Sequence, residues 1–235
     1  MIRLFSKIIV LAFLMILTLG DAKAQVGINL LGGFPQGDFR ANTGRTGFGI
    51  GGEFLFQPNP LAPFALGVNV NYINYGSESR RVPLSNFIQD ITVDVDRSNN
   101  IVQGMLMLRL WAPTPFVKPY VDILGGGSYI YTQTTLKERY SNQEKLSDVN
   151  FSDWAWSYGA GGGLMLKIYS EVGTSIWLDL GARYIYTTEA EYLTEGDIVV
   201  NVNPPYGITY NSRRSKMDLL VAHIGAFLEF SLIPR

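Results

Sequence analysis

The chain has 235 residues, 47% hydrophobic and 17% charged, which is too apolar for a disordered polymer and long enough for one domain or at most two. Its 19 basic and 20 acidic residues give a formal net charge of -1, so the basic surplus that nucleic-acid binding requires is absent. With no cysteine and one histidine, His223, disulfides, thiolate zinc sites, cysteine nucleophiles and cysteine lipidation are excluded, and little remains for a metal site.

Residues 1–24 place Arg3 and Lys7 ahead of an apolar run from Ile8 to Leu19, followed by Ala22, Lys23 and Ala24. This is the pattern of a secretory signal peptide cut after Ala24. The apolar run is too short for a membrane anchor, which needs roughly 20 residues. Losing Arg3, Lys7, Lys23 and Asp21 leaves 16 basic and 19 acidic residues, a mature domain over 25–235 near -3.

Beyond Gln25 no run is long and apolar enough for a transmembrane helix, and the recurring signal is alternation with period two. It predicts eight strands, at 26–33, 47–56, 64–75, 101–111, 117–132, 154–168, 175–187 and 216–232. In the fourth, Val102, Gly104, Leu106, Leu108 and Leu110 oppose Gln103, Met105, Met107 and Arg109. In the seventh, Ile176, Leu178, Leu180, Ala182, Tyr184 and Tyr186 oppose Trp177, Asp179, Gly181 and Arg183. The last strand puts Leu220, Ala222, Ile224, Ala226, Leu228, Phe230 and Leu232 opposite His223, Gly225, Glu229 and Ser231. One face is apolar and the other carries charge.

A soluble ligand-binding barrel would turn the apolar face inward, so aromatics must decide the sense. On the apolar parity Tyr72, Tyr129, Tyr131, Trp154, Trp156, Tyr158, Tyr184 and Tyr186 gather at one set of strand ends, and Phe54, Phe56, Phe64 and Phe230 at the other. Amphipathic rings favour the water–lipid boundary, so two girdles around an aliphatic band mark a lipid-facing wall. Trp111 and Trp177 fall on the opposite parity. The connections alternate in length: 34–46, 76–100, 133–153 and 188–215 are long, whereas 57–63, 112–116 and 169–174 are short and hold turn formers. Such alternation suits an all-β, antiparallel up-and-down transmembrane barrel with both termini on the periplasmic side.

The leader followed by VGINLLGG, the glycine-rich strands FGIGGEFLF and YGAGGGLMLKI, and the closing HIGAFLEFSL together resemble the small eight-stranded outer-membrane barrels of Gram-negative bacteria, of OmpA/OmpX-like architecture, particularly the Bacteroidota-type outer-membrane β-barrel family. The resemblance covers 25–235 and implies a bacterial outer-membrane protein with no cofactor. It implies no single activity, since such barrels include adhesins and secretion-system subunits. The chain departs from the common terminal aromatic by continuing from Phe230 to Arg235.

Inward parity supplies a polar lumen cluster of Glu53, Asp122, Asp179 and Glu229 with Arg109, Lys167 and Arg183. Counted along the strands from the periplasmic turns, all but Arg183 lie within roughly five residues, which predicts one layer of mutually neutralising charges. Catalysis is disfavoured. Two lipid A-modifying families use eight-stranded barrels, but one resembles a His-x-Ser arrangement, where this chain has His223-Ile224-Gly225, and the other needs its histidine near the outer rim. The runs Gly125–Gly127 and Gly161–Gly163 lack the residues of a phosphate loop and read as strand bends. Glu189, Glu191, Glu195 and Asp197 lack calcium-loop spacing and read as a solvated loop.

Function is therefore expected in the long loops. ITVDVD at 91–96 and IVVNVN at 198–203 alternate like strands and predict a sheet rising past the membrane, with Tyr206 and Tyr210 as candidate contacts. The expected partners are outer-membrane lipid and a protein at the loops or a larger envelope assembly. The leading reading is a non-enzymatic barrel in surface interaction, envelope integrity or a secretion or transport assembly; a small-solute channel is the alternative, and a lipid-modifying outer-membrane enzyme comes third.

Overall fold

The computed structural model describes residues 22–59, 61–85, 88–138, 144–194, 196–201 and 207–232. The strands are β1 (Lys23–Pro35), β2 (Gly47–Gln57), β3 (Phe64–Ser85), β4 (Ile88–Trp111), β5 (Val117–Glu138), β6 (Glu144–Glu171), β7 (Thr174–Thr187), β8 (Glu189–Tyr192), β9 (Ile198–Asn201), β10 (Gly207–Tyr210), β11 (Arg213–Lys216) and β12 (Leu219–Ser231), with a short helix α1 (Gly37–Thr43) after β1. Eight of them close a barrel in the order β1-β12-β7-β6-β5-β4-β3-β2, every pairing antiparallel. No helix among the described residues is long and apolar enough to cross a membrane, which says nothing of strands. The barrel satisfies its backbone donors around a ring with no edge, the arrangement hydrocarbon demands.

Side-chain exposure settles which face is in. Ile28, Phe48, Leu106 and Ile123 project outward and are largely exposed, whereas Asn69, Gln103, Arg109, Asp122 and Asp179 are fully buried. The polar residues form the interior and the aliphatic ones the wall. Trp111 and Trp177, on the charged parity, are lumen residues; their rings lie beside Lys118, Trp177 at 4.0 Å and Trp111 at 5.7 Å. Outward rings pair along the upper girdle: Tyr129 with Tyr131, Trp154 with Trp156, and Tyr158 and Tyr184 with Tyr186.

Three differences from the sequence reading matter. The stretches 76–100 and 133–153, expected as connections, are mostly strand: the β3–β4 ladder runs on to Ser85↔Ile88 and the β5–β6 ladder to Lys137↔Glu144, and the strand-like 91–96 is part of β4 as expected. Apart from 91–96, the strands continue here without an apolar parity to announce them. Second, the predicted strand at 216–232 is divided, its first residue belonging to β11 and the barrel strand beginning at Leu219. Third, α1 has no counterpart in the sequence reading, because GDFRANT has one large apolar residue, Phe39, and no periodicity. Phe39 is fully buried at the barrel mouth, its ring 5.4 Å from Tyr75 and 5.1 Å from Tyr192.

The expected leader lies outside the described residues up to position 21. Its last two residues, Lys23 and Ala24, are rungs of β1, opposite Ser231 and Phe230.

Candidate functional site: the charged lumen and the outer mouth

Arg109 occupies the middle of the lumen. Across the β4–β5 ladder it faces Asp122 and holds it with two bonds, Nε to Oδ1 at 2.7 Å and Nη2 to Oδ2 at 2.9 Å. Nη2 also donates to Glu53 Oε2 at 3.1 Å, and the guanidinium lies 3.9 Å from the centre of the Tyr120 ring. This two-pronged geometry is what a planar fork offers a carboxylate, and burial strengthens it.

Arg183 completes the group. Its Nε donates to Asp122 Oδ2 at 2.9 Å, and its Nη1 lies 2.7 Å from Glu53 Oε1. Counting along strands sets Arg183 apart; the ladders do not. Asp122 is opposite Gly161 and Gly161 is opposite Arg183, so the stagger of tilted strands brings a residue nine positions into β7 level with one five positions into β5. Gly161 leaves the path clear, since a methyl group there would lie 2.5 Å from Arg183 Cγ.

Asp179 stands one step away, its Oδ2 3.9 Å from Arg109 Nη1 and 3.2 Å from His223 Nε2, while Tyr120 and His223 are hydrogen bonded at 2.9 Å. Gly181 makes room, because a β-carbon there would lie 2.6 Å from the Tyr120 hydroxyl and 2.7 Å from His223 Cε1. His223 is a lumen residue between an acid and a phenol, with no serine in the arrangement.

Glu229 and Lys167 do not share this layer. Glu229 accepts from Lys23 at 3.0 Å, Gln25 at 2.8 Å and Lys118 at 3.2 Å, and Lys167 lies over the Trp177 ring at 4.9 Å. This second group sits at the end of the barrel that carries the short turns, beside the two inward tryptophans. Lys118 is absent from the sequence-derived cluster although its inward parity marks it.

On the other side of Arg109 runs a belt of neutral groups that sequence reasoning also passes over. Asn29 and Asn69 donate to Glu53 at 2.8 and 3.3 Å. From Asn69 the chain continues to Asn71 at 3.1 Å, then to Gln103 at 3.2 Å, Ser128 at 3.2 Å and Ser157 at 2.7 Å. Asn69 and Asn71 at successive inward positions among Val68, Val70 and Tyr72 are the available signal.

Above this belt the mouth is covered. Tyr75 donates to the Leu193 carbonyl at 3.1 Å, Asn42 donates to the Tyr192 hydroxyl at 2.8 Å, and Tyr192 and Ser215 share a hydrogen bond at 2.7 Å. The predicted solvated acids are in part structural here. Asp197 is buried and accepts from Thr194 N at 2.8 Å, Thr194 Oγ1 at 2.7 Å and Arg213 Nε at 3.0 Å. Glu189 and Glu191 belong to β8, and Glu195 is outside the described residues. Of the candidate loop contacts, Tyr210 is exposed on β10, and Tyr206 is outside the described residues. Among the described residues no cluster of three acidic, histidine or cysteine side chains could hold a metal.

The closed eight-strand ring with a charged interior and an aliphatic wall agrees with one comparison that decides the family: residues 9–203 match the outer membrane protein beta-barrel domain. The chain belongs to that family, and the protein is a bacterial outer-membrane barrel. No curated protein matches it. Similar solved structures include the Neisserial surface protein A, 11% identical over 89% of this chain and 96% of that one, with a TM-score of 0.35. The attachment invasion locus protein Ail of Yersinia pestis is 12% identical over 90% and 99%, TM-score 0.35. A major outer membrane protein from Thermus thermophilus is 12% identical over 88% and 99%, TM-score 0.38.

Proposed function

We propose that this barrel is a non-enzymatic, non-conducting platform that engages a protein partner above the outer membrane, in surface interaction or as a subunit of an envelope assembly. The observation that carries the reading is the continuation of β3–β6 past the girdle as an open sheet. β2 pairs with β3 only up to Asn74 and β7 with β6 only from Ser157, while the β3–β4, β4–β5 and β5–β6 ladders run on for ten or so further rungs. Above the closed ring the outer half of β3 therefore has one described strand partner, β4, and presents its other edge. An edge of backbone donors and acceptors is a template for strand addition by another chain. The β9–β10 hairpin, with exposed Tyr210, offers a second, smaller surface beside it.

The interior supports the same reading by what it fills. Glu53, Arg109, Asp122, Asp179 and Arg183 pair with one another across an eight-stranded lumen that is only wide enough for side chains. A signal peptide ending at Ala24 would deliver the chain, and the mature barrel would keep Lys118 as the base on Glu229 once Lys23 is removed.

The test is removal of the outer parts one at a time. Because Asn211 N donates to the Asp197 carbonyl at 2.8 Å, residues 198–210 can be excised behind a closed neck. The ladder rung Gly76↔Asn99 allows the outer arms of β3 and β4 to be replaced by a short turn in the same way. Both variants should insert and keep heat-modifiable gel migration, since loop length weighs weakly on stability. Crosslinking to the envelope partner should fall with at least one of them. Retention of every partner and surface phenotype by both variants, with loss on Arg109→Ala, would place the activity inside the barrel instead.

A further inference from the structure

The end of the barrel that carries the short turns has a chemistry that the platform reading does not use. The β2–β3, β4–β5 and β6–β7 turns fill alternate gaps of the strand ring, and the fourth gap lies between the ends of β1 and β12. Each turn holds one large apolar side chain in the open: Leu61 is 89% exposed, Phe116 72% and Val172 wholly so. These turns are tied in place. Leu61 N donates to Asn59 Oδ1 at 2.9 Å, the Phe116 carbonyl accepts from Lys167 N at 2.9 Å, and the Gly173 carbonyl, beside Val172, accepts from Ser231 N at 3.0 Å. A single exposed apolar side chain is ordinary on a surface, but one on every short turn makes an apolar rim around the lumen entrance.

Inside the rim the charge is basic. The Trp177 ring has Lys118 Nζ at 4.0 Å and Lys167 Nζ at 4.9 Å from its centre, and Lys118 lies 3.2 Å from Glu229. Among the described residues Lys167 has no carboxylate partner; Glu171, beside the β6–β7 turn, accepts from the Tyr169 hydroxyl. Lys118 and Lys167 thus outnumber Glu229 even without Lys23, which the expected cleavage after Ala24 removes. A cleft of about 290 Å³ joins rim and base, lined by Leu61 and Pro115 of the turns and by Trp111 and Lys118.

We propose that this end docks a segment of a second protein in which a carboxylate is flanked by large apolar side chains. The carboxylate meets Lys118 and Lys167, and the apolar groups cover Leu61, Phe116 and Val172. Charge fixes the sign of the ligand: two ammonium groups against one carboxylate leave a positive surplus that an acid complements. The ring of tips fixes its class. A lipid lies against the outside of the wall and meets one turn at a time, whereas a polypeptide segment approaching along the barrel axis can cover all three. Burial of the tips adds the apolar contribution that a small free anion lacks. This surface stands at the opposite end of the barrel from the open edge of β3 and does not depend on it.

The probe is a fluorescein-labelled peptide of alternating leucine and glutamate, titrated with the barrel in phosphatidylcholine nanodiscs and read by anisotropy. The same peptide with glutamine in place of glutamate, and empty nanodiscs, run beside it. The glutamate peptide should bind the wild type, and the glutamine peptide should bind about tenfold more weakly. Lys167→Gln should weaken the glutamate peptide about fivefold, the scale of one partly exposed ion pair, and leave the glutamine peptide unchanged. Leu61→Ser/Phe116→Ser/Val172→Ser should weaken both peptides by about tenfold or more. Excision of 198–210 at the other end should change neither, which separates this surface from the platform reading. Heat-modifiable migration checks that each variant is folded. Failure of the glutamate peptide to bind, equal wild-type affinity for the two peptides, or no effect of Lys167→Gln would overturn the carboxylate assignment. Equal binding to empty nanodiscs, or an unaffected rim variant, would overturn docking at the turns.

Discussion

Arg183 and Asp122 sit on strands that are not neighbours and still touch, Nε to Oδ2 at 2.9 Å, because the residue between them on β6 is Gly161. Placing a side chain at that position should separate them. A methyl at Gly161 already lies 2.4 Å from the Ala182 carbonyl, so Gly161→Val has no way to yield. We expect it to lower barrel stability by about 3 kcal/mol, the scale of breaking a buried ion pair. Gly104→Ala and Gly125→Ala, where an added β-carbon meets nothing within 4 Å, should stay within about 0.5 kcal/mol. Urea unfolding in detergent, read by heat-modifiable migration, compares the three directly.

Arg109 is the only base that reaches Glu53, Asp122 and Asp179 together among the described residues. Arg109→Ala leaves three buried carboxylates with Arg183 and should cost about 3 kcal/mol or more. Arg109→Met combined with Asp122→Asn should cost less, since it removes a charge of each sign. Wild-type protein in a planar bilayer should show conductance near zero, and a steady large conductance would bring the channel reading forward.

How much of this was legible depends on what each feature leaves in a sequence. Lipid on one side and a filled lumen on the other write a period-two code, so the barrel strands and residues such as Asp122 and Asp179 could be read from parity alone. Stagger is not in that code. It moves Arg183 into the Arg109 group and leaves Glu229 and Lys167 at the short-turn end, whereas counting along strands ranks them in the opposite way. Where lipid ends the code weakens, which is why only 91–96 of the outer halves of β3 to β6 reads as strand and the rest reads as loop. The mouth shows the same limit: Phe39 carries α1 alone, and one buried ring makes no pattern. Tyr120 and His223 required three-dimensional proximity, because the glycines that admit them, Gly163 and Gly181, read equally well as bends.

At the mouth, pH should act through Asp197, which lies outside the membrane-spanning segments. Burial alone would raise its pKa, but hydrogen bonds from Arg213 and Thr194 outweigh that and hold it below the ordinary carboxylate value. A depressed folded pKa means that the group stabilises fully above its unfolded value, near about 3.9, and that this is lost as pH falls through the lower folded value. Amide protection across β8 and β11, taken relative to the intrinsic exchange rate at each pH, should therefore fall on acidification from pH 5 toward 3, more than protection in the barrel strands. Asp197→Asn should start less protected at neutral pH and lose less protection in acid. Equal acid sensitivity in wild type and variant would assign the effect to other carboxylates.

The aromatic contacts at the mouth and the charged layer in the lumen share no side chain, so on the proposed non-conducting reading they should fail separately. Phe39 has no exposed surface and meets Tyr75 and Tyr192 edge-on, so Phe39→Ala removes the contact that holds α1 against the mouth. Burial of a phenylalanine is worth about 3–5 kcal/mol on truncation, but here the loss falls on a local cap while the closed ring of strands stays intact. Protease cleavage within α1 and the segment joining β8 to β11 should therefore quicken many-fold with heat-modifiable migration unchanged. Conductance should remain near zero in this variant, because Arg109, Arg183 and their carboxylates lie deeper and do not depend on Phe39. Adding Arg109→Ala to Phe39→Ala should give the first measurable openings. If Phe39→Ala alone conducts, the cover is the gate and the charged layer admits ions.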